Sequence, residues 1–216
     1  MAGFTSIGAF VLDERGNLDM GEDLWSVSFG VFSDTVVLWP RRLVGSLTDV
    51  CRVVAFLIDS AMLGDWLFRG AIEFGSFRAL PEHNVYLGKG LVDAHRLEMS
   101  QDWCGAIIGA QAEEKYAVEV AEMKRKHLLV DYAVPIKSGR GVIHKQCTTV
   151  NWCYYAVSRQ PGRRARLVKL LAEAPEAAKP KLHETIAFHD QMVKAGLASL
   201  EQITGPVFGD PTVARS

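Results

Sequence analysis

The order of residues predicts an α+β fold, a mainly antiparallel sheet with helices on one face. Three observations carry that prediction. Short apolar, β-branched runs flank turn-forming residues at 26–38 and again around Ser138-Gly139-Arg140-Gly141. Segments with apolar residues at helical spacing alternate with these runs. Of 216 residues, 49% are hydrophobic, so the chain can bury a sizeable core without staples.

The elements follow in order. Residues 26–38 read as a tight β-hairpin with Ser33 and Asp34 at its tip, and Trp39-Pro40 stops the second strand. Leu43, Leu47, Val50, Val53, Val54, Leu57 and Ile58 then mark one face of a core helix. Residues 66–75 read as a strand with Gly70 and Gly75 as points of close backbone approach, followed by a loop around Pro81. Val85-Tyr86-Leu87 gives a short strand, and Gly88-Lys89-Gly90 opens a helix through Leu97-Glu98. Residues 103–109 form another apolar strand, and 113–127 an amphipathic helix rich in Glu and Lys. Residues 132–136 and 150–157 read as two further strands separated by the turn at 138–141. Helices are expected over 163–173 and 180–200, punctuated by Pro175 and Pro180, before a loosely held tail with Gly205-Pro206 and Gly209-Asp210-Pro211. Residues 1–160 are read as the main domain and 161–216 as a helical extension and tail.

Charge and composition narrow the function. Lysine plus arginine number 24 against 25 acidic residues, a balance that argues against a dedicated nucleic-acid surface. Cys51, Cys104, Cys147 and Cys153 sit in apolar segments without metal-ligand spacing, as buried thiols in a reducing compartment would. The start lacks a basic, apolar leader, and charged residues interrupt every long apolar stretch, so a cytoplasmic protein without a membrane span is expected. The six histidines show no ligand pairing and read as surface or boundary residues, and Trp152 and Tyr154-Tyr155 read as core and interface aromatics. Gly88 and Gly90 lack the third glycine of a dinucleotide fingerprint.

Asp34 is the residue to explain, because a carboxylate at the tip of two apolar runs can either bond its own turn or offer lone pairs to a hard cation such as Mg²⁺ or Mn²⁺. Four segments in order bear on that choice. They are Phe32-Ser33-Asp34-Thr35-Val36-Val37; Arg69-Gly70-Ala71-Ile72-Glu73-Phe74-Gly75; the helix segment 88–98 ending Arg96-Leu97-Glu98; and the late runs Val134-Pro135-Ile136-Lys137, Val150-Asn151-Trp152 and Glu184-Thr185-Ile186-Ala187-Phe188. Together they resemble the class III nucleotidyl cyclase family, in particular a bacterial branch that includes the Pycsar antiphage pyrimidine cyclases. The resemblance covers roughly residues 25–188.

That resemblance implies a ferredoxin-like cyclase core and a homodimer with paired sites at the interface. It implies conversion of a nucleoside triphosphate to a 3',5'-cyclic nucleotide and pyrophosphate with two Mg²⁺ or Mn²⁺ ions held by two aspartates. Asp34 matches one aspartate. Arg96 matches the arginine that contacts the α-phosphate, and Lys137 a lysine aimed at the triphosphate. Gly30 and Ser33 flank Asp34 where the phosphates would approach. Val92, or Asp93 in a register shifted by one, stands where the family often has a ribose-positioning Asn. A purine-reading lysine four residues before Asp34 is replaced by Gly30, which fits UTP or CTP. Asp13, after the apolar run Phe10-Val11-Leu12, is the candidate for the second aspartate, yet only 21 positions separate it from Asp34. Three readings stay open: the first metal Asp lies upstream of Met1, Asp13 serves in an altered topology, or that ligand is lost. The last would leave a cyclase-homology module that dimerises or binds nucleotide without turnover.

Overall fold

The computed structural model describes residues 27–32, 35–40, 46–154 and 162–198. They form β1 (Val27–Phe32), β2 (Thr35–Pro40), α1 (Ser46–Leu63), β3 (Gly70–Ile72), β4 (Arg78–Leu80), β5 (Val85–Leu87), α2 (Lys89–Ser100), β6 (Ala106–Ile108), α3 (Ala110–Lys115), α4 (Ala117–Arg125), β7 (Leu129–Ser138), β8 (Gly141–Val150), α5 (Arg163–Glu173) and α6 (Lys179–Lys194). The class is mixed α+β. A four-stranded sheet runs in the order β3-β6-β8-β7, and the hairpins β1-β2 and β4-β5 each form a two-stranded sheet. All pairings are antiparallel except β3 with β6, which α2 connects as a parallel crossover.

The helices do not keep to one face, which corrects the sequence expectation. Asp131 and Tyr132 are successive on β7 and so point to opposite faces. Asp131 meets Lys124 of α4 at 2.6 Å, whereas the Tyr132 ring packs edge-on against Phe188 of α6 with centroids 4.9 Å apart. All three residues of β6 are buried, so both its faces are covered. Two strand expectations also change. Residues 66–75 yield only the three-residue β3, which pairs with β6. The last strand begins directly after the turn, at Gly141, and ends at Val150, where a strand was expected to start.

One hydrophobic core joins the sheet to the flanking helices, with α2 contributing only the partly buried Leu97. Cys51, Ala55, Ile58 and Met62 from α1, Ile107 from β6, Leu167 and Leu170 from α5, and Leu182, Phe188 and Met192 from α6 belong to it. Helices α5 and α6 therefore contribute side chains to the main core. At its centre Trp103, Tyr132, Trp152 and Phe188 pack ring on ring. A smaller cluster of Val27, Val50 and Val53 seats the β1-β2 hairpin on α1, with Ile72 of β3 against it. Among the described residues no helix is long and apolar enough to cross a membrane.

Candidate functional site

The site is built outward from α2. Gly88, with φ 142°, turns the chain from β5 into the helix in a conformation that side chains avoid. The helix start then lies on the segment that follows β3: a Cβ at Gly75 would stand 2.8 Å from the Gly90 Cα. Two glycines thus let the helix and that segment meet backbone to backbone. The other end of α2 is tied down by polar groups. Arg69 donates through Nε to Glu98 at 2.5 Å and through Nη1 to the Gln101 carbonyl at 3.0 Å. The Gln101 amide donates to the Gly70 carbonyl at 2.8 Å and accepts from Trp103 Nε1 at 2.9 Å. Buried amides and a charge-assisted bond of this kind hold the helix at a fixed angle to β3.

Arg96 stands on the outer face of α2 with its side chain 77% exposed, 3.7 Å from Asp93. Asp93 also receives Lys89, so the carboxylate expected near a ribose is engaged by two cations. Val92, one residue earlier, is exposed. Lys137, at the far end of β7, donates from Nζ to the Met99 carbonyl at 3.2 Å. Met99 lies three residues after Arg96, which makes the two neighbours on the helix surface. The sheet therefore delivers Lys137 to the turn of α2 that follows Arg96, and two cations separated by 41 positions in sequence share one end of the helix. Burial, then the nearby positive charges of Arg69 and Lys181, hold the Lys137 ammonium below the ordinary lysine value.

The metal side of the expected site is carried by sequence alone. Asp13, Ser33 and Asp34 lie outside the described residues. The flanking strands are in register up to the pair Phe32 and Thr35. Gly30 has a packing role: a Cβ there would lie 2.1 Å from the Tyr86 hydroxyl oxygen, so the phenol of β5 occupies the space a side chain would need. Trp39 extends the same contact, its ring 5.5 Å from Phe77 and 5.7 Å from Tyr86. At Gly70 a Cβ would meet only Ala106 at 3.6 Å, an ordinary contact. Among the described residues no three His, Cys, Asp or Glu side chains converge as a metal ion needs.

Three polar arrangements were not read from the sequence. Asp59, 1% exposed on α1, accepts from both Nε and Nη2 of Arg163, the latter at 2.8 Å. Glu73 accepts from the Ala112 amide at 2.9 Å and so caps α3, while Gly109 leaves room for its carboxylate. His189, expected at a boundary, is buried, stacks on Trp152 and bonds Asp190 at 3.1 Å. A charge inside an apolar run is the one signal that could have marked Asp59 and Glu73. Their partners, 104 and 39 residues away, leave no trace in local pattern. Set against protein-family models, curated proteins and solved structures, this chain matches none of them.

Proposed function

We propose that this protein is a metal-dependent nucleotidyl cyclase that converts a pyrimidine nucleoside triphosphate, UTP or CTP, to its 3',5'-cyclic nucleotide and pyrophosphate. The observation that supports it most is that Lys137 bonds the Met99 carbonyl one turn after Arg96 on α2, while both cations face solvent and neither is consumed by a buried partner. Two cations on one surface suit a polyanionic triphosphate, whose negative charge grows on the phosphoryl oxygens and leaving group as the 3'-oxygen attacks. In this reading Arg96 contacts the α-phosphate through its fixed fork, and Lys137 neutralises the departing pyrophosphate. The exposure of Arg96 fits a site completed by a second subunit, in which the partner's hairpin carries the acidic residues. Asp34 and Asp13 would hold Mg²⁺ or Mn²⁺, two per site, which when bound lower the charge on the phosphates and favour the 3'-alkoxide. The order hairpin, β3, α2 supports the reading further, because three of the four resembling segments fall on separate elements in the sequence order of the family's motifs. The role in antiphage signalling follows from the resemblance alone.

The test is direct. Purified protein is incubated with each of the four nucleoside triphosphates and Mn²⁺ or Mg²⁺, and products are separated by chromatography and identified by mass. Cyclic UMP or cyclic CMP, lost on Asp34→Ala, is the expected result. Binding of a triphosphate with no cyclic product under any combination overturns the enzyme and leaves the nucleotide-binding module.

A further inference from the structure

The β7-β8 ribbon is longer than the sheet that holds it. Strand β6 pairs with β8 only around Thr149, at the end of the strand nearest the core. From Gly141 through Gln146 every residue of β8 is exposed, including Val142 at 47% and Ile143 at 54%. The direction of the backbone groups follows from the register. Pro135 stands opposite His144, and its carbonyl turns away from β8 to accept the Asp102 amide at 2.9 Å. Residues paired across such a position point their N–H and C=O groups outward from each other. Val142, His144 and Gln146 therefore aim their amides along the free edge of β8. Among the described residues no backbone group meets them. His144 is held by Glu184 of α6, Nε2 to Oε1 at 3.2 Å, which steadies the strand at this point.

We infer that this edge is an interface with a second copy of the chain, β8 pairing antiparallel with its symmetry mate about an axis through Ile143. An exposed row of outward amides is a template for another strand, and the row here is self-complementary. With the axis at Ile143, Val142 faces His144 of the partner subunit and the two exchange both amide hydrogen bonds, as does the symmetric pair. Ile143 then meets its own copy in the closely spaced, non-hydrogen-bonded position, where apolar pairs contribute most. Lys145 falls opposite Gly141 of the partner subunit, so no like charges meet. An axis one residue on, at His144, would set imidazole against imidazole and leave Ile143 facing a lysine. The near-neutral chain, with net charge -1, adds no repulsion between copies. This surface is separate from the α2 face invoked for catalysis, and the inference does not depend on that reading.

Four variants and one concentration series test it. Ile143→Lys places two ammonium groups together at the axis, and Val142→Pro deletes an outward amide without touching the bonds to β7. Both should halve the assembly mass seen by sedimentation velocity while leaving the thermal midpoint near that of the wild type. Ile143→Cys should form a disulfide-linked dimer under mild oxidation, because the paired Cα atoms fall within disulfide reach, and Lys145→Cys should not. The inference is overturned if the wild type keeps its mass in both edge variants, or if the two cysteine variants cross-link equally. It is also overturned if the protein sediments as a monomer at all concentrations, whether a peptide or another segment of the chain takes the edge. A monomer at all concentrations would also remove the two-subunit site of the proposed function, whereas the variant and cross-linking outcomes test this edge alone.

Discussion

Lys137 on β7 and the Met99 carbonyl at the end of α2 are joined by a 3.2 Å hydrogen bond across 38 residues of sequence. An ammonium has three protons, so this one bond does not exhaust its donors. Burial and the charges of Arg69 and Lys181 lower the Lys137 pKa, so its proton leaves before those of exposed lysines as pH rises. If the protein is the cyclase proposed above, its rate should therefore fall on the alkaline side at a pH below the ordinary lysine range. Lys137→Arg should abolish that limb, since a guanidinium keeps its charge, and Lys181→Met should move it upward. The pH profile of kcat/KM for the three proteins decides this.

Arg96 makes one loose, exposed contact, so its removal should cost almost nothing in stability. Arg96→Ala is expected to lower kcat by about a hundredfold or more, the cost of deleting one donor to a developing negative charge. Arg96→Lys should recover little, because a single ammonium cannot span two phosphate oxygens. Thermal midpoints within a degree or two of the wild type, alongside the rate loss, separate the catalytic role from a structural one.

Asp59 and Arg163 join α1 to the first turn of α5, with the Asp59 side chain 1% and the Arg163 side chain 11% exposed. Truncating either partner removes a charge-assisted pair from the interior, so Asp59→Ala should destabilise the protein by about 3–5 kcal/mol. Replacing both together with apolar residues of similar volume, as in Asp59→Leu with Arg163→Met, should recover much of that loss. Urea unfolding of the single and double variants measures the coupling; additive losses would mean that the pair does not act as a unit.

How far the sequence reaches can be seen in adjacent elements. Helix α5 was legible to the residue, Arg163–Glu173, with Pro175 punctuating its end. The short strand Val85–Leu87 was legible for the same kind of reason, an apolar triplet between turn residues. The first half of β8 was not, because Val142-Ile143-His144-Lys145-Gln146 lies exposed on both faces and shows no alternation. It is a strand because β7 and the turn at Gly139-Arg140 make it one. Placement of helices on two faces was equally hidden, since an Ala-Ile-Ile run serves a strand covered once or twice. Arg96 and Lys137 were singled out as residue types in motifs, but the Lys137 bond to the Met99 carbonyl is a product of tertiary structure that no local pattern announces.

Gly30 and Tyr86 couple the β1-β2 hairpin to the β4-β5 hairpin. Because a Cβ at residue 30 would overlap the phenol, Gly30→Ala should destabilise by about 1–3 kcal/mol through overpacking. Combining it with Tyr86→Ala should cost less than the sum of the two single changes, since the second removes the collision. Equal, additive losses in a denaturant series would sink the claim that the glycine is there for packing.

The thiols offer a readout of core integrity that needs no substrate. Cys51, Cys104 and Cys153 are buried, and burial pushes each thiol up, that of Cys104 to about 11 despite its Thr185 hydrogen bond. Cys147 is partly exposed, and burial raises it as well. Reaction requires the thiolate and access to it, and the three buried residues have neither at neutral pH. A disulfide reagent at neutral pH should therefore titrate one thiol of the folded protein, slowly, and all four only in denaturant. The Cys147→Ser variant should show no reactive thiol until it unfolds, with the rate for the remaining three tracking global opening. Rapid modification of a second thiol in the native state would mean that the core around α1 or the Trp152 segment opens on its own, against the single shared core that binds α1, α5 and α6.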